Sequence, residues 1–489
     1  MRRAIFPADM RAMERTFMQR TGYPSLLLME HAAQAVVQAL LRHVAQDARV
    51  AFACGAGGNG GDGYAAARLW RQAGGEAVCV CAAPPEALAG DAAVNAGLCR
   101  ALGIPLLTAE DPGALTGAAA IVDALFGTGL ARPVEGVHAA LIGRINASGL
   151  PVVSADIPSG VDGATGRVLG CAVRAAETVT FHRPKPGHLL FPGRALTGDL
   201  TVADIGIPPQ LDGAPGPDVL EDADLRLPAR AQDAHKGTCG HLLIVAGSRG
   251  MAGAAVLCAQ GALRAGAGLV TAACAQEVLP VLQAQAFCAM AAALPSRDGA
   301  LAPEAGGQLE TLMRGKQALC VGPGLSQRPG VLEAIRPALE SDLPKVIDAD
   351  ALNLMASSGL RPGANTAVTP HPGEAARLLG VPVGEVTDDP AGAARTLSQR
   401  LGAVVLLKGG TTVIAHDGGM AFMAQGTPAL ATGGSGDVLA GVLGALLCQG
   451  LEPAQAARMA ALWHARAGRR AEAALGTRQV TALDVAGCL

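Results

Sequence analysis

RVAFACGAGGNGGDG (residues 49–63) is the stretch that decides how this chain folds. After Arg49, the residues Val50 to Cys54 are apolar without polar alternation, so they read as a strand buried on both faces. The glycines after Cys54 sit where the backbone must turn sharply, and a helical pattern then runs from Asp62 to Ala73. A strand passing through such a turn into a helix opens a βαβ unit, and the free amides of a helix N-terminus bind phosphate well. The spacing lacks the G-x-G-x-x-G fingerprint with its strand-end acid, so the ordinary dinucleotide reading does not apply. Asn59 and Asp62 place polar side chains among the glycines, which a plain turn does not require.

Outward from this stretch the same rhythm continues. AVCVCAA (77–83), AAIVDALFG (119–127) and PVVSADIP (151–158) read as strands, with helical patterns at 91–102 and 136–147 between and before them. Alternating strands and helices predict a parallel sheet covered on both faces, with ligands at the carboxyl ends of the strands. Two further polar clusters fall at those ends. Asp123 precedes GTGLARP (127–133), and Asp156 opens DIPSGVD (156–162), whose Asp162 reads as a turn residue.

Near residue 208 the pattern gives way to PPQLDGAPGPDVLED (208–222), a composition suited to a linker. The boundary is expected at 212–220, giving domains 1–212 and 220–489. Beyond it, HLLIVAGS (241–248), ALCVGPG (318–324), PKVIDADALN (344–353), VVLLKGG (404–410) and TTVIAHDG (411–418) predict a second α/β domain with no repeat of the first.

The second domain carries its chemistry in ATGGSGD (431–437), which leads directly into a helical stretch from Val438 to Leu447. Successive small residues leave backbone amides free to surround an anion, and Asp437 supplies a carboxylate to take the proton of an attacking hydroxyl. Asp437 could equally serve the helix dipole. His371 lies between Pro370 and Pro372 in a rigid turn. Asp350 and Asn353 read either as groups for substrate or magnesium, or as caps of the following helix.

Composition bounds the class. The 489 residues are 50% hydrophobic and 16% charged, with a net charge of -3, which fits a globular enzyme of two domains. Basic residues are scattered, so no nucleic-acid footprint is present. The most apolar run, Val438 to Leu447, is far below the roughly 20 residues of a membrane span. Twelve dispersed Cys without zinc spacing predict reduced thiols in the cytoplasm.

G-N-G-G-D-G, V-D-A-L-F-G-T-G-L and D-I-P-S-G-V-D, with L-M-E at 28–30, resemble the signatures of the YjeF N-terminal family, the NAD(P)H-hydrate epimerases. The resemblance implies a Rossmann-like three-layer sandwich. It implies contacts to the hydrated cofactor from Gly58, Asn59, Gly60, Gly61 and Asp62, and from Gly127, Thr128, Gly129, Leu130, Ala131, Arg132, Pro133 and Asp156. Asp156 is then the catalytic acid/base, and Asn59, Asp123 and Ser159 hold a potassium ion through oxygen ligands. The family usually carries two Asn before its Gly pair, where this chain has Gly58-Asn59.

In the second half, G-G-S-G-D resembles the anion-hole and base element of ribokinase-like kinases. HKGTCGHLLIVAGS with MAGAA, VGPGL, DADALN, TPHPGEAARLLG, LLKGGTTVI and GTPALATGGSGDVLAG resemble, in order, the YjeF C-terminal family of ADP-dependent NAD(P)H-hydrate dehydratases. That resemblance implies a ribokinase-like α/β domain. It implies ADP held with magnesium by Lys408, Gly409, Gly410, Thr411, Thr412 and Gly436, with Ala254, Gly324, His371 and the catalytic Asp437 facing the hydrate.

The expectation is therefore a cofactor-repair enzyme. One half interconverts the epimers of NADHX and NADPHX, and the other dehydrates the S form with ADP, releasing AMP and phosphate. A cytoplasmic homo-oligomer without membrane or nucleic-acid partners is expected. The alternative is a ribokinase-like small-molecule kinase fused to a nucleotide-binding module.

Overall fold

The computed structural model describes residues 2–208, 210, 213 and 215–489. Pro209, Leu211, Asp212 and Ala214, all in the segment expected to link the halves, lie outside the described residues, so the expected end of the first domain at 212 does too. The chain forms two compact units, one over Arg3–Pro217 and the other over Asp218–Leu489 together with Arg2.

The first unit holds seven strands: β1 (Arg49–Cys54), β2 (Glu76–Cys81), β3 (Leu106–Thr108), β4 (Ala120–Ala124), β5 (Val152–Ala155), β6 (Glu177–Phe181) and β7 (Asp199–Ala203). All pair in parallel, in the order β3-β2-β1-β4-β5-β6-β7. Along β1 the side chains alternate between two apolar clusters. Val50, Phe52 and Cys54 pack on one side, Ala51 and Ala53 on the other, which is why no polar residue interrupts the run. The strand order reverses between β1 and β4, the switch point at which doubly wound sheets open a crevice.

The helix after β1 begins at Gly58, four residues before the expected start. Its glycines serve close packing. A Cβ on Gly60 would lie 1.9 Å from the carbonyl oxygen of Gly55, and one on Gly63 would lie 2.6 Å from Ala124 Cβ. The Gly-rich stretch is thus half turn and half first helical turn.

From Asp218 onward the main sheet of the second unit takes ten strands: β8 (Asp218–Val219), β9 (His241–Val245), β10 (Leu269–Ala275), β11 (Met290–Leu294), β12 (Ala318–Val321), β13 (Lys345–Ile347), β14 (Thr366–Val368), β15 (Val404–Leu407), β16 (Thr412–His416) and β17 (Gly419–Met423), beside a separate hairpin of Ser296–Arg297 and Ala300–Leu301. Their order is β8-β17-β16-β15-β14-β13-β12-β9-β10-β11. The strands from β15 through β11 pair in parallel, while β16 runs antiparallel to both of its neighbours.

The apolar run noted above lies in the helix Ser435–Cys448, of which Val438 through Cys448 are all buried. It packs on the helix Ala252–Arg264 with no room for side chains between them. A Cβ on Gly441 would lie 2.1 Å from Cys258 O, and one on Gly261 would lie 2.5 Å from Val438 O. Among the described residues no helix is long and apolar enough to cross a membrane.

Candidate active sites

The carboxyl ends of β1, β2, β4, β5 and β6 surround a cavity of about 910 Å³ in the first unit. It is lined by Gly58, Asn59 and Asp62, by all seven residues from Gly127 to Pro133, and by Asp156. Gly60 and Gly61 do not line it. Both are buried, Gly60 against Gly55 and Gly61 against the Met29 side chain, so they serve packing rather than contact. At Gly58 a Cβ would meet nothing within 4 Å, so the family's Asn would fit here and its absence enlarges the cavity.

Asp156 is held from every side. Its backbone takes a φ of 62°, a left-handed conformation uncommon for a non-glycine residue. Its N–H donates to Val179 O at 2.8 Å, and its carbonyl accepts His188 Nε2–H at 2.8 Å. His188 carries its proton on Nε2 because Nδ1 accepts the Lys185 N–H at 2.9 Å. Lys185 Nζ donates to Asp156 Oδ1 at 2.7 Å, to Thr180 Oγ1 at 2.9 Å and to Phe181 O at 3.1 Å. The other carboxylate oxygen, Oδ2, accepts only the long Thr128 N–H bond of 3.3 Å among the described residues.

The electrostatics follow from this clamp. Burial alone would push the Asp156 carboxyl up, but the Lys185 ammonium beside it overrides burial and holds it below the ordinary value. Burial and the same ammonium push His188 down to about 4, so its ring is neutral. Asp62 moves the opposite way, raised well above its ordinary value by burial and by Asp156, Glu14 and Asp91. Lys185 and His188, in HRPKPGH (182–188), were not singled out in the sequence. A lysine between prolines, in a chain with five lysines, was the signal available.

Asn59, Asp123 and Ser159, the residues expected to hold potassium, all carry side-chain oxygen atoms. Both amide atoms of Asn59 are buried without a hydrogen-bond partner, and such orphaned groups call for a ligand. Asp123 is fully buried and accepts Ser159 Oγ at 2.6 Å, Ser159 N at 2.8 Å and Ser154 Oγ at 2.8 Å. Burial pushes its carboxyl up against the pull of these bonds. Among the described residues no three or more His, Cys, Asp or Glu side chains are grouped to hold a metal.

In the second unit the sites again lie at strand ends. Lys408, after β15, reaches Asp348 Oδ1 at 2.8 Å, after β13, and lies 4.0 Å from Glu374 Oε2, after β14. A Cβ on Gly436 would lie 3.4 Å from Lys408 Nζ, so the ammonium sits beside the amide cradle. Gly434 has a φ of 89° and caps the helix Ser435–Cys448, a conformation that calls for glycine. The Ser435 amide bonds Thr432 O, whereas those of Gly436 and Asp437 take no backbone acceptor among the described residues. Two such amides at a helix N-terminus form an anion site. Burial and the Asp348 charge push the Asp437 carboxyl up to about 7 despite Lys408.

The remaining expected residues divide. Gly324 adjoins Ala254, whose Cβ a side chain at 324 would meet at 2.9 Å, and Ser248 Oγ fixes the Gly324 carbonyl at 2.9 Å. Thr411 and Thr412 are buried at the start of β16, and Gly409 precedes them. His371 is a helix N-cap. Its Nδ1 accepts from Gly373 N and Glu374 N, while the ring is half exposed. Asp350 accepts the Ser326 amide and the Gln327 side chain, and Asn353 accepts Arg377 Nε, so both are engaged locally. Asp348, Glu374 and the buried His464, whose Nε2 lies 3.3 Å from Ser435 Oγ, were not singled out in the sequence. Asp348 in DADALN and Glu374 in HPGE are acids directly after a strand or cap, a signal that was present but shared with many turns.

Comparison with known proteins agrees with this arrangement. The family model for YjeF-related protein N-terminus matches residues 25–187, and that for NAD(P)H-hydrate dehydratase matches residues 242–488. The bifunctional NAD(P)H-hydrate repair enzyme Nnr of Moorella thermoacetica is 39% identical over 501 residues, spanning 98% of this chain and 94% of its own. The protein of the same name from Escherichia coli is 36% identical over 490 residues, spanning 98% and 91%. Among solved structures, the ADP/ATP-dependent NAD(P)H-hydrate dehydratase of Bacillus subtilis, co-crystallised with ATP and Mg2+, aligns with a TM-score of 0.50 and 31% identity over 55% of this chain and 95% of that one. Two units with separate strand-end sites, and relatives matched from end to end, make this chain a member of the bifunctional NAD(P)H-hydrate repair enzymes, an epimerase unit followed by a dehydratase unit.

Proposed function

We propose that Asp437 and Asp156 are the proton-accepting groups of the two activities, and that ADP drives the dehydration. The observation that carries the reading is the position of Asp437. It stands at the end of a free-amide cradle, beside Lys408, with a carboxyl raised to about 7. A base poised near the working pH is the efficient one.

In the hydrate, C6 carries a hydroxyl, and hydroxide leaves poorly. Asp437 takes the hydroxyl proton as that oxygen attacks the β-phosphorus of ADP, and the bond to the bridging oxygen breaks to release AMP. The amides of Gly436 and Asp437 and the Lys408 ammonium stabilise the charge that builds on the transferring group. The ring nitrogen then expels phosphate from C6, and loss of a C5 proton restores NAD(P)H. Asp348 and Glu374 pair with the Lys408 ammonium, whose charge Asp437 also feels; a magnesium ion would arrive with the nucleotide, held chiefly by its phosphates.

In the first unit, Asp156 keeps Oδ2 toward the cavity and acts on the C6 hydroxyl of either epimer. Asn59, Asp123 and Ser159 would hold a potassium ion, which supplies a fixed positive charge for oxygen groups of the substrate. Twelve unpaired Cys side chains support a reducing compartment such as the cytoplasm.

The test is recovery of the reduced-nicotinamide absorbance from mixed-epimer NADH hydrate with magnesium and potassium, with ADP or ATP in parallel. Complete recovery with ADP is expected. Recovery of one epimer's share alone would remove the epimerase assignment, and no recovery with either nucleotide would remove the whole reading.

A further inference from the structure

We propose that Glu14 is the proton donor of the epimerisation, acting with Asp156 in the first cavity; the inference rests on the epimerase reading above. Glu14 lies on the helix Pro7–Thr21, ahead of residue 25 where the family match begins.

Three contacts seat that helix on the site. The Ile5 N–H donates to Pro184 O at 2.9 Å, next to Lys185. Pro7 packs on Gly163, where a Cβ would come within 2.9 Å of Pro7 Cγ. Arg11 Nη1 donates to Thr128 O at 3.3 Å, on the loop that forms the cavity wall. Met10, Met13 and Phe17 face the core. Met10, Arg11 and Glu14, one helical turn apart, line the cavity together with Asp62, Asp156 and Lys185.

No hydrogen bond or ion pair engages the Glu14 carboxyl among the described residues, so it is available to a ligand. The charged groups facing it are Arg11 on its own helix, Lys185 and Asp156 from the strand ends, and Asp62 from the Gly-rich turn, whose carboxyl Glu14 in turn helps to raise. Burial pushes it up, Lys185 and Arg11 pull it down, Asp156 pushes it up again, and the net shift is upward. A carboxyl so placed retains its proton when Asp156 has lost its own. Lys185 cannot take the role, because its three protons are committed to Asp156, Thr180 and Phe181 O.

The chemistry requires both groups. C6 of the hydrate bears a hydroxyl and the ring nitrogen, and is therefore a hemiaminal. Asp156 removes the hydroxyl proton and that electron pair forms the second C–O bond. The C6–N1 pair passes to nitrogen, which takes the proton of Glu14. The resulting aldehyde rotates about C5–C6 and presents its other face. Nitrogen adds back, returning its proton to Glu14 while Asp156 returns the other to oxygen. Nothing is oxidised or reduced, and the product is the opposite epimer.

The experiment follows the appearance of S-hydrate from pure R-hydrate with the full-length protein and no nucleotide, beside hydrate binding by calorimetry and a pH profile. Glu14→Gln is expected to slow interconversion by about 10²–10⁴-fold. Hydrate affinity is expected to stay within about threefold. The alkaline limb of the wild-type pH profile is expected to vanish in Glu14→Gln, while Glu14→Asp retains the limb at an intermediate rate. ADP-dependent dehydration of S-hydrate checks that the chain is intact. A Glu14→Gln rate near wild type, a proportional loss of affinity, or an alkaline limb that survives it and vanishes in Asp62→Asn would overturn the proposal. If Asp156→Asn abolishes interconversion while Glu14→Gln spares it, only the role of Glu14 fails. If Asp156→Asn also spares it, the site itself is misassigned and the proposal falls with it.

Discussion

Asp156 and Asp437 are both proposed to accept a proton, yet their surroundings push them in opposite directions. Lys185 holds Asp156 ionised. Asp437 rises to about 7. The dehydration rate is therefore expected to fall as pH drops below about 7, since only the carboxylate accepts a proton; kcat/KM from pH 5 to 9 checks it. Asp437→Asn is expected to lower ADP-dependent recovery by about 10²–10⁴-fold. It is also expected to raise stability at pH 8. The folded-state value lies above the ordinary 3.8, so the stabilising protonated form is fully populated below that value and is lost as pH rises through about 7. Removing the ionisable group removes that loss, about 1–2 kcal/mol after allowance for solvent screening, readable in the melting of the second unit. Lys185→Met leaves Asp156 buried without its counterion, which costs about 3–5 kcal/mol and abolishes epimerisation. Adding Asp156→Asn to it is expected to restore most of the melting temperature and none of the activity.

At the scale of elements, the packing of Ser435–Cys448 on Ala252–Arg264 decides where the anion cradle sits. Gly441→Ala would put a Cβ 2.1 Å from Cys258 O, a backbone atom that cannot swing away. The helices must part, at a cost of about 1–3 kcal/mol. KM for ADP is expected to rise while epimerisation is unchanged, and an unchanged KM would show that the cradle is positioned by its own loop. The strands that the sequence disclosed were the apolar ones, such as β1 and β4. β6 stayed hidden because Glu177, Thr178 and Thr180 break its apolar run, although all are buried. Glu177 is satisfied by Arg42, His43 and Thr201, and Thr178 donates to Thr197 O at 2.6 Å. Such partners come from remote segments, so no local pattern announces them. β3 escaped for another reason, being three residues long.

At the scale of the molecule, each unit holds one of the two proposed bases at its own strand ends. Full-length Asp156→Asn is therefore expected to recover only the S share of mixed hydrate, and full-length Asp437→Asn none. A mixture of the two variants is expected to recover everything, measured by the same absorbance assay. Failure of the mixture would mean that the intermediate passes only within one chain. The sequence by itself determined the two α/β units, the Gly-rich turns and the carboxylates at strand ends, because apolar runs, glycines and short motifs are local and survive without coordinates. Only the tertiary structure decided which groups act on them. Lys185 meets Asp156 across 29 residues, Lys408 meets Asp348 across 60, and Glu14 joins a cavity whose other walls lie more than forty residues away. Charge pairs of that range are set by which strands lie side by side and by burial that strips away water, and neither quantity is written in any local stretch of the chain.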